Sequence, residues 1–183
     1  MTKVEASTVI ADVMVVTPDV FGDARGRFIE TYRRNWFPLG REMVQANRSD
    51  RAKGAVVGLH YHFHQADYWY VTRGKARVVL HDLRVGSPTE RATQVIEIGT
   101  HDDRGVFIPP GVGHGFGAVT DLTLTYLVDS YYNPADELGV AWDDPELGAE
   151  WGLSDPVVSA RDAANPLRSE IPDHLLPRYG LRT

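Results

Sequence analysis

Short apolar runs, many of them β-branched or aromatic, recur along this chain and are separated by clusters of glycine, proline and acidic residues. Residues 9–16 (VIADVMVV), 27–32 (RFIETY), 55–63 (AVVGLHYHF), 67–72 (DYWYVT), 76–83 (ARVVLHDL), 93–98 (TQVIEI), 105–109 (GVFIP) and 122–128 (LTLTYLV) read as strands. TRGKA predicts a hairpin turn between two of them, with Gly74 supplying the permissive backbone. VGSPTE and IPPGVG read as rigid connections. Helix signals are few, one short candidate over 35–41 and another over 172–178. No internal repeat, low-complexity tract or interdomain linker interrupts the pattern, so residues 1–183 are expected to form a single domain. Many short strands at regular spacing predict an all-β sandwich or barrel. The segment YYNPADELGVAWDDPELGAEWGLSDP holds too much proline, glycine and aspartate for regular elements. It is expected to wrap the barrel or cover its mouth.

One strand stands apart. In GLHYHFHQAD, His60, His62 and His64 occupy alternate positions, so a strand puts them on one face with Leu59, Tyr61 and Phe63 on the other. Three imidazoles facing into a barrel would line a polar pocket, a common place for a ligand. They would equally suit a metal, a catalytic base, or a wet strand edge.

Composition narrows these choices. There are no cysteines, so any metal would be held by imidazole and carboxylate, and disulfides are excluded. The net charge of −6 argues against nucleic acid or an acidic membrane as a partner, though a few placed arginines suffice for a phosphorylated ligand. The N-terminal run is interrupted at Ala11-Asp12 and does not read as a signal peptide. No segment approaches the roughly 20 apolar residues of a membrane span. A cytoplasmic location is the expectation.

The spacing Gly54, His60-x-His62, Asp67 and Gly74 resembles the first motif of metal-binding cupins, with aspartate where glutamate is usual. PPGVGH (109–114) resembles the second motif and adds His114, although Ala118 stands where that motif ends in asparagine. What this resemblance implies is one divalent transition metal (Fe, Mn, Ni, Cu or Zn) held by His60, His62, Asp67 and His114.

A longer resemblance, from about residue 10 to residue 179, is to a non-metal branch of the cupin superfamily. These are the nucleotide-sugar 3,5-epimerases acting on dTDP-4-dehydro-6-deoxyglucose. DARGRFIETY, QANRS, KGAVVGLHY, DLRVGSPT, PPGVGHGF, YYNPADELGVAWDDP and LSDPVVSARDAANP follow the family's motifs in order. The resemblance implies a cupin/jelly-roll β-barrel with short peripheral helices, an irregular C-terminal segment, and a homodimer joined through an N-terminal strand. It makes His60 the general base, Tyr126 the general acid, and Asp162 the carboxylate orienting the base. Arg25, Glu30, Gln45, Asn47, His114, Glu137 and Arg161 fall where the family contacts nucleotide, diphosphate and sugar. No cofactor is implied. The residue types suit the chemistry: a carboxylate-paired imidazole can take a proton alpha to a ketone, and a separate hydroxyl can return one from the opposite side.

Two positions depart from the family. Val57 stands where an arginine precedes Gly-Leu-His, and Asp67 stands where a lysine stabilises the enolate. Exchanging a preorganised cation for an anion removes a term typically worth ~10²–10³ in rate. Three readings follow: a 3,5- or 3-epimerase of a nucleotide-linked 4-keto-6-deoxy sugar in deoxysugar biosynthesis, a metal-dependent cupin enzyme, or a non-catalytic nucleotide-sugar-binding relative. The first two compete for His60, since one imidazole cannot both ligate a metal and abstract a proton.

Overall fold

The computed structural model describes residues 1–37 and 41–180. The strands in chain order are β1 (Lys3–Ala6), β2 (Met14–Thr17), β3 (Val20–Asp23), β4 (Gly26–Ile29), β5 (Gln45–Arg51), β6 (Ala55–Tyr61) and β7 (Asp67–Arg73). They continue with β8 (Lys75–Asp82), β9 (Thr93–Gly99), β10 (Gly105–Ile108), β11 (Val112–Ala118), β12 (Leu122–Val128), β13 (Leu138–Gly139) and β14 (Val157–Val158). One sheet runs β1-β2-β10-β7-β12-β5, and the facing sheet runs β13-β6-β11-β8-β9. Neighbours in both are antiparallel, and β14 adds to β6 in parallel. β3 and β4 form a separate hairpin. The architecture is the all-β jelly roll that the sequence predicts.

Alternation along each strand sorts the side chains. Trp69, Val71, Val78, Leu80, Val106, Ile108, Phe116 and Leu124 point between the sheets and form the main core. The outer face of the first sheet buries Val16, Tyr68 and Phe107 against Phe37. The outer face of the second sheet buries Val56, Leu59, Tyr61 and Val79 against Val140, Leu147, Trp151 and Ile171. The irregular C-terminal third therefore wraps the barrel. Gly115 permits one of these contacts: a Cβ there would lie 2.6 Å from the Val57 carbonyl oxygen and 2.9 Å from the Trp151 ring.

Several expectations need correction. Residues 9–16 are not one strand. The chain turns at Ile10–Asp12, where Asp12 adopts φ +65°, and β1 folds back on β2. Gly74 is not a hairpin turn: β7 and β8 belong to different sheets, so it turns a corner between them. β5 and β11 were not among the expected strands. The inward residues of β5 are polar, and β11 carries Gly113, Gly115 and Gly117. Of the helix expected over 35–41, the described residues show a 3₁₀ turn at Arg34–Trp36, and 38–40 lie outside them. A 3₁₀ turn at Asp173–Leu175 replaces the C-terminal helix. The strand over 55–63 ends at Tyr61, before the second and third histidines.

Candidate active site

A cavity of about 360 Å³ opens between the two sheets. One wall comes from β5, β12 and β7, whose register places Gln45, Val128 and Asp67 in one cross-strand row and Asn47, Tyr126 and Trp69 in the next. The other wall comes from β6 and β11, where His60 lies opposite His114 and Val57 opposite Phe116. Ser49, Arg51, His62, Gln65, Leu124, Tyr132 and Glu137 complete the lining. β5 alternates, with Gln45, Asn47 and Ser49 inward and Ala46, Arg48 and Asp50 exposed, while Arg51 at its end is exposed yet still lines the cavity. A strand whose inward face is wholly polar is building a ligand surface rather than a core.

His60 is held from behind. Its Nε2 lies 2.7 Å from Asp162 Oδ1, and its Nδ1 lies 3.6 Å from Glu137 Oε1 on the cavity side. Asp162 belongs to the short helix α1 (Ala160–Ala163), capped by Ser159, whose hydroxyl accepts the Asp162 amide. The Asp162 carboxylate also accepts the Gly58 amide at 3.2 Å. Burial pushes its pKa up, but the hydrogen bonds from His60 and Gly58 outweigh this and hold it below the ordinary carboxylate value. An ionised Asp162 draws the ring proton of His60 to Nε2. Nδ1 is then the free base of the ring, facing the cavity.

Tyr126 projects from the opposite sheet. Burial, with the Asp67 and Glu137 carboxylates, raises its phenol above the ordinary value of 10.0, so it stays protonated at neutral pH. Gln45 donates to Asn47 at 2.8 Å beside it, and this pair presents amides to the cavity.

A second group of side chains lies deeper. His62, Asp67 and His114 are buried, and their nearest donor atoms all fall within 4.8 Å of one another. His62 Nδ1 donates to the Asp136 carbonyl at 2.6 Å, and His114 Nδ1 to the Val112 carbonyl at 2.9 Å. Asp67 accepts from Trp69 Nε1 at 3.0 Å and from Gln65 Nε2 at 2.9 Å. His60 is not among them. The fourfold ligand set expected from the cupin motif is thus corrected to three residues, because His60 turns to Asp162. His64 is corrected too: it sits in a bend after β6, is exposed, and lines a different cavity beside Arg84 and Tyr179.

Residues 7–170 match the family model described as dTDP-4-dehydrorhamnose 3,5-epimerase. The chain belongs to this epimerase family. A dTDP-4-dehydrorhamnose 3-epimerase of Streptomyces niveus is 38% identical over 179 residues, covering 93% of this chain and 86% of that protein. Among solved structures, the 4-keto-6-deoxy sugar epimerase of the novobiocin gene cluster of Streptomyces spheroides superposes with a TM-score of 0.92 at 36% identity. That match covers 98% of this chain and 94% of the other. The dTDP-6-deoxy-D-glucose-3,5-epimerase of Legionella pneumophila, in complex with dTDP-4-keto-L-rhamnose, gives a TM-score of 0.92 at 30% identity, covering 98% and 99%.

Against the epimerase pattern, the fold brings His60, Tyr126, Gln45, Asn47, His114 and Glu137 to one cavity, with Asp162 directly behind His60. Arg161 stays at the rim, exposed and 3.4 Å from Glu137 Oε1. Arg25 and Glu30 are not on the cavity of their own chain: Arg25 pairs with Asp23 at the β3–β4 turn, and Glu30 pairs with Arg33. That hairpin projects from the barrel instead of folding over its mouth. Ser49, Arg51, Gln65, Trp69 and Tyr132 line the cavity without having been singled out in the sequence. The inward register of β5 and β7 would have found the first, second and fourth. Val57 and Asp67, the two positions the sequence reading set apart, are on the cavity wall.

Proposed function

We propose that the protein is a sugar-nucleotide epimerase that inverts one or both carbons flanking the ketone of a nucleotide-linked 4-keto-6-deoxy sugar, in deoxysugar biosynthesis. The observation that carries this is the pair of proton-transfer groups on opposite walls. His60, backed by Asp162, faces Tyr126 across the space between the sheets. His60 Nδ1 takes the proton alpha to the ketone, and the C–H electron pair moves onto the carbonyl oxygen as an enolate. Asp162 stabilises the imidazolium that forms. Tyr126 then delivers its proton to the other face of the same carbon, and the stereocentre inverts. Both proton transfers are made by side chains.

The substrate's diphosphate calls for cations. Arg51 is the one cationic side chain among the described residues lining the cavity. We propose that a homodimer supplies more. The β3–β4 hairpin exposes Val20, Phe21 and Phe28, with Arg25 at its tip, an apolar and cationic surface suited to a second copy's cavity mouth.

Proton NMR in D₂O with dTDP-4-keto-6-deoxyglucose tests the reading. Wild-type protein is expected to exchange the C3 proton and to accumulate an epimer. His60→Asn should lower exchange by about 10²–10⁴-fold. Tyr126→Phe should keep exchange but suppress inversion. Tight binding of the sugar nucleotide with no exchange would replace this reading with that of a binding protein.

A further inference from the structure

Asp67 is a buried carboxylate, 3% exposed, and among the described residues no lysine or arginine pairs with it. Its hydrogen-bond donors, Trp69 and Gln65, are both neutral. Burying an anion in this way is costly unless positive charge is supplied. What faces it is two imidazoles. Each has its Nδ1–H committed to a backbone carbonyl, His62 to Asp136 and His114 to Val112, so each carries its lone pair on Nε2. His114 Nε2 lies 3.9 Å from Asp67 Oδ2, too far for a direct hydrogen bond. Gln65 Nε2 bridges His62 Nε2 at 3.2 Å and Asp67 Oδ1, so the amide hydrogens point where these electron-rich atoms converge.

We propose that His62 Nε2, His114 Nε2 and a carboxylate oxygen of Asp67 form a binding site for one divalent first-row transition-metal ion. Two imidazoles and a carboxylate suit such ions, and neutral histidines anchored through the opposite ring nitrogen are how metal sites orient their ligands. The three donor atoms lie within 4.8 Å of one another, close enough that small side-chain rotations would gather them around one ion at about 2.0–2.2 Å each. Three protein ligands on a cavity wall leave the remaining positions open to the cavity. Gln65 must turn aside when the ion enters.

The site also accounts for the departure at Asp67. Bound there, the ion supplies positive charge to a carbonyl oxygen in the cavity, the part a lysine plays elsewhere in the family. That role, though not the site itself, rests on the epimerase reading. His60 remains free to act as the base, because it is turned to Asp162 and is not a ligand.

Chelator-stripped, tag-free protein titrated with Co²⁺ and with Zn²⁺ tests the proposal. The expected result is one ion bound per chain, with visible d–d bands for Co²⁺ that Zn²⁺ displaces. His62→Gln and Asp67→Asn should each weaken binding at least about 10-fold, while His60→Asn leaves the bands and affinity little changed. Should His62→Gln not fold, Asp67→Asn carries the same expectation. No saturable uptake by wild-type protein, or equal loss in His60→Asn, overturns the site. Deuterium exchange on the same samples separates the two readings. Exchange that falls about 10²–10³-fold on stripping and returns with the ion supports the assigned role. An ion that binds without altering exchange overturns that role and leaves the site standing. Absence of exchange with the ion bound overturns the epimerase reading alone.

Discussion

Asp82 shows how a side chain within a family-like motif can serve the fold rather than the chemistry. In DLRVGSPT it is fully buried, accepts from Arg84, Ser87 and Thr89, and Arg84 reaches on to Asp12. Burial pushes the Asp82 pKa up, yet Arg84 and the two hydroxyls overcome this and hold it below 3.8. A carboxyl depressed by folding contributes stability that is present above its unfolded pKa and is lost as pH falls through the folded one. Asp82→Asn should therefore cost up to about 3–5 kcal/mol at neutral pH, since it removes the buried anion of Arg84 and leaves it only the partly exposed Asp12. Its urea midpoint should change less with pH below about 4 than that of the wild type; urea titrations of both proteins at several pH values would show this. His60 and Asp162 illustrate a different reach. The two are 102 positions apart, and nothing in the spacing of either places them together. The family resemblance supplied that pairing, and the fold supplies its geometry.

Among the elements, those with an apolar period were the legible ones. β12 matches its expected span, because LTLTYLV alternates and is buried at both ends. β5 was missed because its inward residues are polar and face the cavity instead of a core, so the strand carries no hydrophobic period. β11 was missed because glycines replace side chains where two backbones approach. The same local logic explains why the histidine pattern misled. Period two holds only while the strand lasts, and β6 stops at Tyr61: His62, the next residue, still lines the cavity with His60, whereas His64, further into the bend, lines a different one. The β3–β4 hairpin, with Phe21 57% and Phe28 64% exposed, is an element with an unpartnered apolar face. Phe21→Ser/Phe28→Ser protein is expected to sediment as a monomer where the wild type sediments as a dimer. Arg25→Ala should stay dimeric and raise KM for the sugar nucleotide. A wild-type monomer at micromolar concentration would overturn the assembly proposed above.

Across the whole molecule, the chain combines a net charge of −6 with a cavity that holds Asp67 and Glu137 but one arginine. An anionic substrate must be drawn there by local charge, since the overall field repels it. Raising the ionic strength should therefore have opposite effects: it screens the global repulsion and weakens the grip on the diphosphate. Among the described residues no helix is long and apolar enough to cross a membrane.

The corner at Gly74 has a reach beyond its own turn. It lies at the end of β7 opposite Asp67, roughly 20 Å away at strand spacing. Its φ is +79°, a Cβ there would lie 2.1 Å from the Asp121 carbonyl oxygen, and one on Gly99 would lie 2.4 Å from the Gly74 carbonyl oxygen. The two sheets are joined here as tongs are at the heel, and the groups proposed to react sit toward the tips, His60 on one arm and Tyr126 on the other. Gly74→Ala forces the heel apart without touching substrate. It should lower the melting temperature and, in the fraction still folded, widen the gap that the sugar must fill. Inversion would then fall more than deuterium exchange does, because exchange needs only one tip and inversion needs both.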